Sequence, residues 1–349
     1  MKKTLISLAM SGLFAVSMMG QSVIRVNQMG YLEDDVKVAV MLVDKAENVI
    51  PTKKFSKIKI VNAATNKTYA VDKVTETQAW EPMAQSLRID FSSITEPGEY
   101  YIEALGTKSG AIKIDNSTYK GAQEIPLYYM RQQRCGYNPF MKDSCHVHDA
   151  YIVYHPTKSG QHLDVRGGWH DAADYLQYTT TSANAIYQML FAYQQNPQAF
   201  GDAYDANGHK GANGIPDIID EIKWGLDWLN RMNPEPGELY NQIADDRDHA
   251  GMRLPTECKV DYGYGPGKGR PVYFCSGEPQ VRGKFMNATT GVASTAGKFA
   301  SCFALGARVL KDFYPEFAAL IGSKADTAYQ EGVKKPGVAQ TASVVSPYI

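Results

Sequence analysis

The hydrophobic period of this chain changes once, and that change limits what it can fold into. Between Gln21 and Asp115 apolar residues recur in short alternating runs: Val23–Asn27, Val36–Val43, Lys57–Val61, Thr68–Val74, Leu87–Phe91, Glu99–Glu103 and Ala111–Ile114. From Asn116 onward the apolar positions fall about 3.6 apart. A period of two serves a strand with one buried face, whereas the longer period serves a helix with one apolar stripe. Neither pattern satisfies the other's geometry, so the chain reads as two domains, and 349 residues are enough for both.

The seven runs are separated by turn chemistry, most clearly Glu96-Pro97-Gly98 and Leu105-Gly106-Thr107. Short strands at this spacing predict a β-sandwich over residues 21–115. The segment has no Cys, so no disulfide joins its sheets. Beyond Asn116, Ser117 or Thr118 caps an expected helix running toward Arg134, with a kink at Pro126. Further helices are expected over Leu176–Gln195, Ile215–Met232 and Thr289–Asp312, with shorter ones at Pro315–Ile321 and Lys324–Glu331. No alternation of strand and helix appears, which makes residues 116–349 an all-α domain.

Within the helical domain the stretch Arg166–Tyr178, RGGWHDAADYLQY, concentrates chemistry. Asp171 and Asp174 are three residues apart, which on a helix places both carboxylates on one face. Two converging acids repel, and that suits a base that activates water beside a partner that holds it. The spacing alone also fits a helix start with an Asp cap. Five cysteines, Cys135, Cys145, Cys258, Cys275 and Cys302, leave one unpaired in any disulfide scheme. Cys135 and Cys145 either close a small disulfide loop or join His146 and His170 in a tetrahedral zinc set. The other three cysteines are expected to pack as small hydrophobes. His148, His155, His162 and His209 read as loop or surface histidines.

Met1–Gly20 has the order of an export signal: Lys2 and Lys3, the apolar run Leu5–Met19, then small residues. The run is short for a membrane span, and no Cys lies near the cleavage point to anchor a lipid. A soluble, exported mature protein is expected, periplasmic or extracellular. A net charge of −1 without a basic patch argues against a nucleic-acid partner. The 22 Tyr and 4 Trp would supply a sugar cleft generously, although most such rings are core.

The segment GGWHDAADYLQY resembles the GGW-[YH]-DAGD-Y-x-K/R-Y segment of glycoside hydrolase family 9, the inverting cellulases, departing from it at Ala173 and Gln177. NGIPDIIDEIKWGLDWLNRM (Asn213–Met232), QRCGYNPF…CHVHDA (Gln133–Ala150) and TTGVASTAGKFASCFALGARVLKDFYPEFA (Thr289–Ala318) resemble three more of its segments in the usual order. RVNQMGY (Arg25–Tyr31) and EPGEYYIE (Glu96–Glu103) look like the immunoglobulin-like module that precedes the catalytic domain in one branch.

The resemblance implies an immunoglobulin-like β-sandwich followed by an (α/α)6 barrel, incomplete in this chain. Asp174 would be the catalytic base and Asp171 its partner. Cys135, Cys145, His146 and His170 would hold a structural zinc; calcium is also common in the family, with no ligands assignable here. Trp169, Tyr175, Asp248 and His249 become candidate substrate contacts. Arg247 and the tyrosines at 262, 264 and 273 lie in the same Gly/Pro-rich stretch. The expected substrate is a β-1,4-glucan-type polysaccharide, and the full-length protein is expected to be monomeric. The family's acid Glu lies downstream of the matched segments, and no Glu here stands in its motif. A truncated chain is therefore expected, without glycosidase activity of its own; a non-catalytic glycan-binding protein or an inactive fragment is the alternative.

Overall fold

The computed structural model describes residues 22–339 apart from residues 173, 250 and 279–289. The expected export signal, Met1–Gly20, lies outside the described residues. The chain divides into two compact units, Met1–Lys120 and Gly121–Ile349.

Among the described residues the first unit carries nine strands: β1 (Val23–Arg25), β2 (Val38–Val43), β3 (Lys59–Asn62), β4 (Thr68–Ala70), β5 (Lys73–Thr77), β6 (Gln85–Asp90), β7 (Gly98–Ala104), β8 (Thr107–Lys108) and β9 (Ile112–Ile114). They form two antiparallel sheets, one in the order β1-β2-β6-β5 and one in the order β4-β3-β7-β8 with β9 also on β7. Alternation does the work: Ala39, Met41 and Val43 of β2 point inward, as do Tyr100, Ile102 and Ala104 of β7. With Ile60, Leu87, Ile89 and Phe91 they make one continuous core. Burial of one face of each sheet is what holds such a sandwich together.

The expected single run Thr68–Val74 is two strands, β4 and β5, belonging to different sheets. Tyr69, Val71 and Val74 all keep contact with the core through the corner, so the apolar alternation continues where the backbone changes sheets. The Asp72 carboxylate accepts the Ser93 N–H (2.8 Å) and steadies that corner.

The second unit contains α1 (Glu124–Gln132), β10 (Gly136–Asn138), β11 (Asp143–Cys145), β12 (Tyr151–Val153), β13 (Gln177–Tyr178), α2 (Thr179–Gln195), α3 (Asp217–Arg231), β14 (Tyr240–Ile243), β15 (Pro271–Phe274), α4 (Ala293–Leu310) and α5 (Pro315–Lys334). Its core joins Ile186 and Leu190 of α2, Ile222 and Leu226 of α3, Phe299 and Phe303 of α4, and Ile321 of α5. The helices follow the 3.6-residue pattern, with differences at their ends. Helix α1 starts at Glu124 rather than Ser117 or Thr118. Pro126 therefore falls in the first turn, where its missing N–H costs nothing and no kink follows. Helix α2 starts three residues after Leu176, because Gln177 and Tyr178 pair with Ile243 and Gln242 of β14. Helix α4 begins at Ala293; Thr289 lies outside the described residues. The two short helices expected after Pro315 are one, since Ala318, Ile321, Ala328 and Gly332 bury a continuous stripe across the Gly322-Ser323 break.

Among the described residues, six short strands correct the expectation that this unit is helical throughout. Strands β12-β15-β14-β13 form a mixed sheet, with β12 parallel to β15, and β10 and β11 form a hairpin. Each is two to four residues long, too short for alternation to register in sequence.

The GGW segment and α3 meet where neither can be larger. A Cβ on Gly225 of α3 would stand 2.1 Å from Trp169 Cη2 and 2.8 Å from Ile186 Cγ1. Gly168, at φ +70°, lies against the Trp228 ring, where a Cβ would come within 2.7 Å. Helix propensity favours Ala over Gly by about 1 kcal/mol, but overpacking costs about 1–3 kcal/mol, and here the displaced ring adjoins His170. Gly225→Ala is expected to lower the melting temperature, with thermal unfolding followed by circular dichroism as the check.

Candidate functional site

The hairpin β10–β11 brings four ligand-type side chains to one point. The Cys135 N–H donates to the Gly168 carbonyl (2.9 Å) and the His170 N–H to the Gln133 carbonyl (2.9 Å), so residues 133–135 run beside 168–170. Cys145 pairs with Gly136 across the hairpin, and His146 turns at φ +51° directly after it. The ligand atoms of Cys135, Cys145, His146 and His170 all lie within 4.8 Å of one another. Cys135 Sγ is 3.7 Å from His146 Nδ1, and Cys145 Sγ is 3.7 Å from His170 Nε2. A tetrahedral zinc with ordinary Zn–S and Zn–N bonds sets sulfur and nitrogen about 3.6 Å apart.

The electrostatics fit the same chemistry. The cysteines are free rather than disulfide-bonded. Burial pushes the Cys135 thiol well up, while the hydrogen bond from Cys135 holds Cys145 below the usual thiol range. Burial, with Arg270 and His170 nearby, keeps His146 well below the usual imidazole range, and its Nε2 is buried without a hydrogen-bond partner. A neutral imidazole is the ligating form. Two thiols and two imidazoles in a buried pocket form a closed donor set.

The loop carrying Asp171 and Asp174 leaves this cluster at His170. It is not helical. The Asp171 N–H donates to the Leu176 carbonyl (2.8 Å), closing a loop over residues 171–176, and α2 starts only at Thr179. The two carboxylates are therefore displayed by a loop rather than by one helix face. Asp171 is exposed and lines a groove of about 640 Å3 with Tyr129, Gln132, Phe140 and Met141. Asp174 is half-buried, its Oδ2 2.8 Å from His249 Nε2. His249 Nδ1 lies 3.0 Å from the Asp246 carbonyl. Both ring nitrogens thus face oxygen acceptors.

The remaining sequence candidates hold the scaffold. Trp169 is buried and donates from Nε1 to Glu221 Oε1 (2.7 Å); Arg134 Nη2 reaches Glu221 Oε2 at 2.7 Å. Tyr175 is buried, its hydroxyl on the Arg253 carbonyl. Asp248 is fully buried: it accepts the Tyr175 N–H (2.7 Å), the Tyr262 hydroxyl and the Arg253 guanidinium. Of Trp169, Tyr175, Asp248 and His249, His249 alone combines exposure with a place beside a carboxylate. Tyr273 donates to Asp245 (2.6 Å), which also holds Arg247, while Tyr264 stacks on Tyr151 at 4.0 Å. Cys275 and Cys302 are packed as expected, burial pushing both thiols up to about 12. Cys258 departs from that pattern, accepting Arg253 Nε at 3.2 Å. Arg270 and Asp149, absent from the candidate residues, form a buried ion pair (2.6 Å) behind Cys135. Asp149 had one sequence signal, the DA of CHVHDA; Arg270 stood in no motif.

Comparison with known proteins places this geometry. Residues 119–348 match the profile of glycosyl hydrolase family 9. The chain belongs to glycosyl hydrolase family 9. Residues 20–109 match the cellulase N-terminal ig-like domain, so the first unit is that family's immunoglobulin-like sandwich. A cellodextrinase of Butyrivibrio fibrisolvens is 27% identical over 252 residues, covering 69% of this chain and 40% of its own. Endoglucanase D of Acetivibrio thermocellus is 32% identical over 178 residues, 48% of this chain and 28% of the relative. Among solved structures, a metagenome-derived family 9 endoglucanase aligns with a TM-score of 0.66 at 29% identity, over 91% of this chain and 55% of that one. A zinc-binding triple mutant of the family 9 endoglucanase J30 aligns with a TM-score of 0.65 at 25% identity, over 87% and 53%. This family 9 chain thus spans less than half the length of these curated relatives and about half of these solved chains. The solved relatives are (α/α)6 barrels, of which its helices form part.

The network around Asp248 gives the site a pH signature. Burial alone would raise this carboxyl; Arg270, the Tyr262 hydroxyl, the Tyr175 N–H and Arg253 together hold it below the usual carboxylate range. A depressed native pKa means the unfolded chain binds the proton more readily, so stability rises with pH through that range. The contribution is complete above the unfolded value of about 4 and is lost as pH falls through the lower native value. Asp248→Asn is therefore expected to unfold at lower temperature than wild type at pH 7. The gap should narrow below about pH 4, as read from melting temperatures across a pH series.

Proposed function

We propose that this family 9 protein hydrolyses β-1,4-linked glucan chains with inversion, using Asp174 as the base and Asp171 as its partner. The observation that carries the reading is the pairing of the half-buried Asp174 with His249, beside an exposed Asp171 on a loop rooted at the Cys/His cluster. Asp174 removes a proton from water as that water attacks the anomeric carbon, and Asp171 accepts a second hydrogen bond that orients it. The His249 ring fixes the rotamer of the Asp174 carboxylate and stabilises its charge. Inversion also requires an acid about 6.5–9.5 Å from the base to protonate the leaving oxygen, and no Glu of this chain is assigned to it.

Cys135, Cys145, His146 and His170 hold a structural zinc in this reading. The donor set has no fifth, open position, so the ion supplies rigidity to the loop and takes no part in the reaction. Among the described residues no calcium ligand set is assigned. Met1–Gly20 directs export to the periplasm or exterior, where polymeric glucan is met. No helix among the described residues is long and apolar enough to cross a membrane.

Full-length protein should release reducing ends from soluble β-glucan, with Asp174→Ala lowering kcat about 10²–10⁴-fold, whereas residues 21–349 alone, to which no acid is assigned, should release none. Proton NMR of the first product should show inverted configuration. Unchanged turnover in Asp174→Ala removes this residue as the base; retained configuration removes the mechanism. Tight glucan binding without turnover supports a non-catalytic glycan-binding protein instead.

Replacing a metal ligand should act on stability first. Cys145→Ser is expected to increase proteolysis within residues 133–178 and to lower the melting temperature, as should prolonged chelation of the wild type. Chelated protein that keeps wild-type melting and proteolysis argues against a structural metal.

A further inference from the structure

Arg270 stands immediately before β15 and is fully buried, yet every arm of its guanidinium is used. Nε and Nη2 donate to the Asp149 carboxylate at 2.9 and 2.6 Å. Nη2 also reaches Gln177 Oε1 (2.7 Å) and lies 3.6 Å from Cys135 Sγ. Nη1 donates to the Tyr175 carbonyl. Asp149 in turn donates its backbone N–H to the His146 carbonyl (3.3 Å), and Gln177 donates Nε2 to the Gly167 carbonyl (2.8 Å). One side chain therefore touches a cluster sulfur and, through Asp149, the backbone of a second cluster residue. It also grips the carbonyl of Tyr175, the residue after Asp174.

A simple counter-ion for Asp149 would need none of this. Asp149 occupies Nε and one face of Nη2; the bonds to Tyr175 and Gln177 lie on the other side of the fork. Those two residues belong to the stretch that ends the carboxylate loop and enters β13. A lysine offers three donors from a single atom and cannot span such a planar set.

We propose that Arg270 is a positioning residue that locks the Cys/His site and the segment after Asp174 into one frame. Filling that site then fixes where the Asp174 carboxylate stands. The inference rests on the metal and base assignments proposed above. It gives this buried pair a task beyond holding charge, since a pair kept for stability alone is replaceable by apolar residues of similar size.

The test compares full-length wild type, Arg270→Lys, and the double variant Arg270→Met with Asp149→Leu, which removes both buried charges together. Zinc affinity is read by competition with a chromophoric chelator, and hydrogen exchange is followed by mass spectrometry with and without zinc. Zinc should slow exchange in wild type both at the hairpin 136–145 and at residues 175–178. Both variants should bind zinc about 10–100-fold more weakly. At saturating zinc they should protect the hairpin while leaving residues 175–178 unprotected. Arg270→Lys keeps the charge, so full recovery of both readouts by lysine overturns the inference in favour of a counter-ion. Zinc-dependent protection of residues 175–178 that persists in the double variant overturns it equally, whatever the affinity. Wild type that takes up no zinc overturns the metal assignment, and this inference with it; wild type that binds zinc indistinguishably from both variants overturns the inference alone.

Discussion

Two thiols and two imidazoles packed out of water at one point are an unfavourable arrangement unless a cation joins them. Buried thiolates repel, and buried neutral donors forgo hydration. Here the convergence is built by backbone pairing from two distant stretches, the hairpin at Cys135–Cys145 and the GGWH segment ending at His170. The loop bearing Asp171 and Asp174 starts at the next residue. Whatever holds the cluster therefore sets the origin of that loop, and the position of the candidate base depends on it.

A second layer of buried charge supports the first. Arg134 pairs with Glu221 of α3, which also accepts the Trp169 indole, while Arg270 pairs with Asp149. Both pairs are almost wholly buried. Desolvation offsets most of the Coulombic gain in such pairs, so their contribution to net stability is modest, while removing one partner is costly. What they add is direction. Each fork accepts one arrangement of its partners, which ties the GGW segment to α3 and the Tyr175–Gln177 stretch to β15. Asp248 completes the frame from below the loop by holding the Tyr175 N–H.

The sandwich, the helix stripes and the composition of the Cys/His cluster were legible in the sequence because each rests on local periodicity or on residue type. The strands of the second unit were not. At two to four residues they carry no period, and they exist because β14 and β15 pair across a long separation. The same limit misplaced the carboxylates on a helix: the Asp171 N–H bond to Leu176 and the pairing of Gln177 with Ile243 are tertiary facts. Trp169, Tyr175 and Asp248 read as substrate contacts because aromatic and acidic residues line sugar clefts. Burial decides between cleft and core, and residue type does not reveal it. Arg270 was missed for a related reason: a lone arginine in a Gly/Pro-rich stretch looks solvated until its partners are brought in from residues 135, 149, 175 and 177.

The central claim is that this convergence is a metal site that anchors the candidate base. X-ray absorption at the zinc edge of the purified chain tests it directly. The account predicts zinc at one equivalent per chain with a mixed shell, two sulfurs at about 2.3 Å and two nitrogens at about 2.0–2.1 Å. A metal-free protein with a Cys135–Cys145 disulfide, or a zinc shell of oxygen ligands alone, would contradict it.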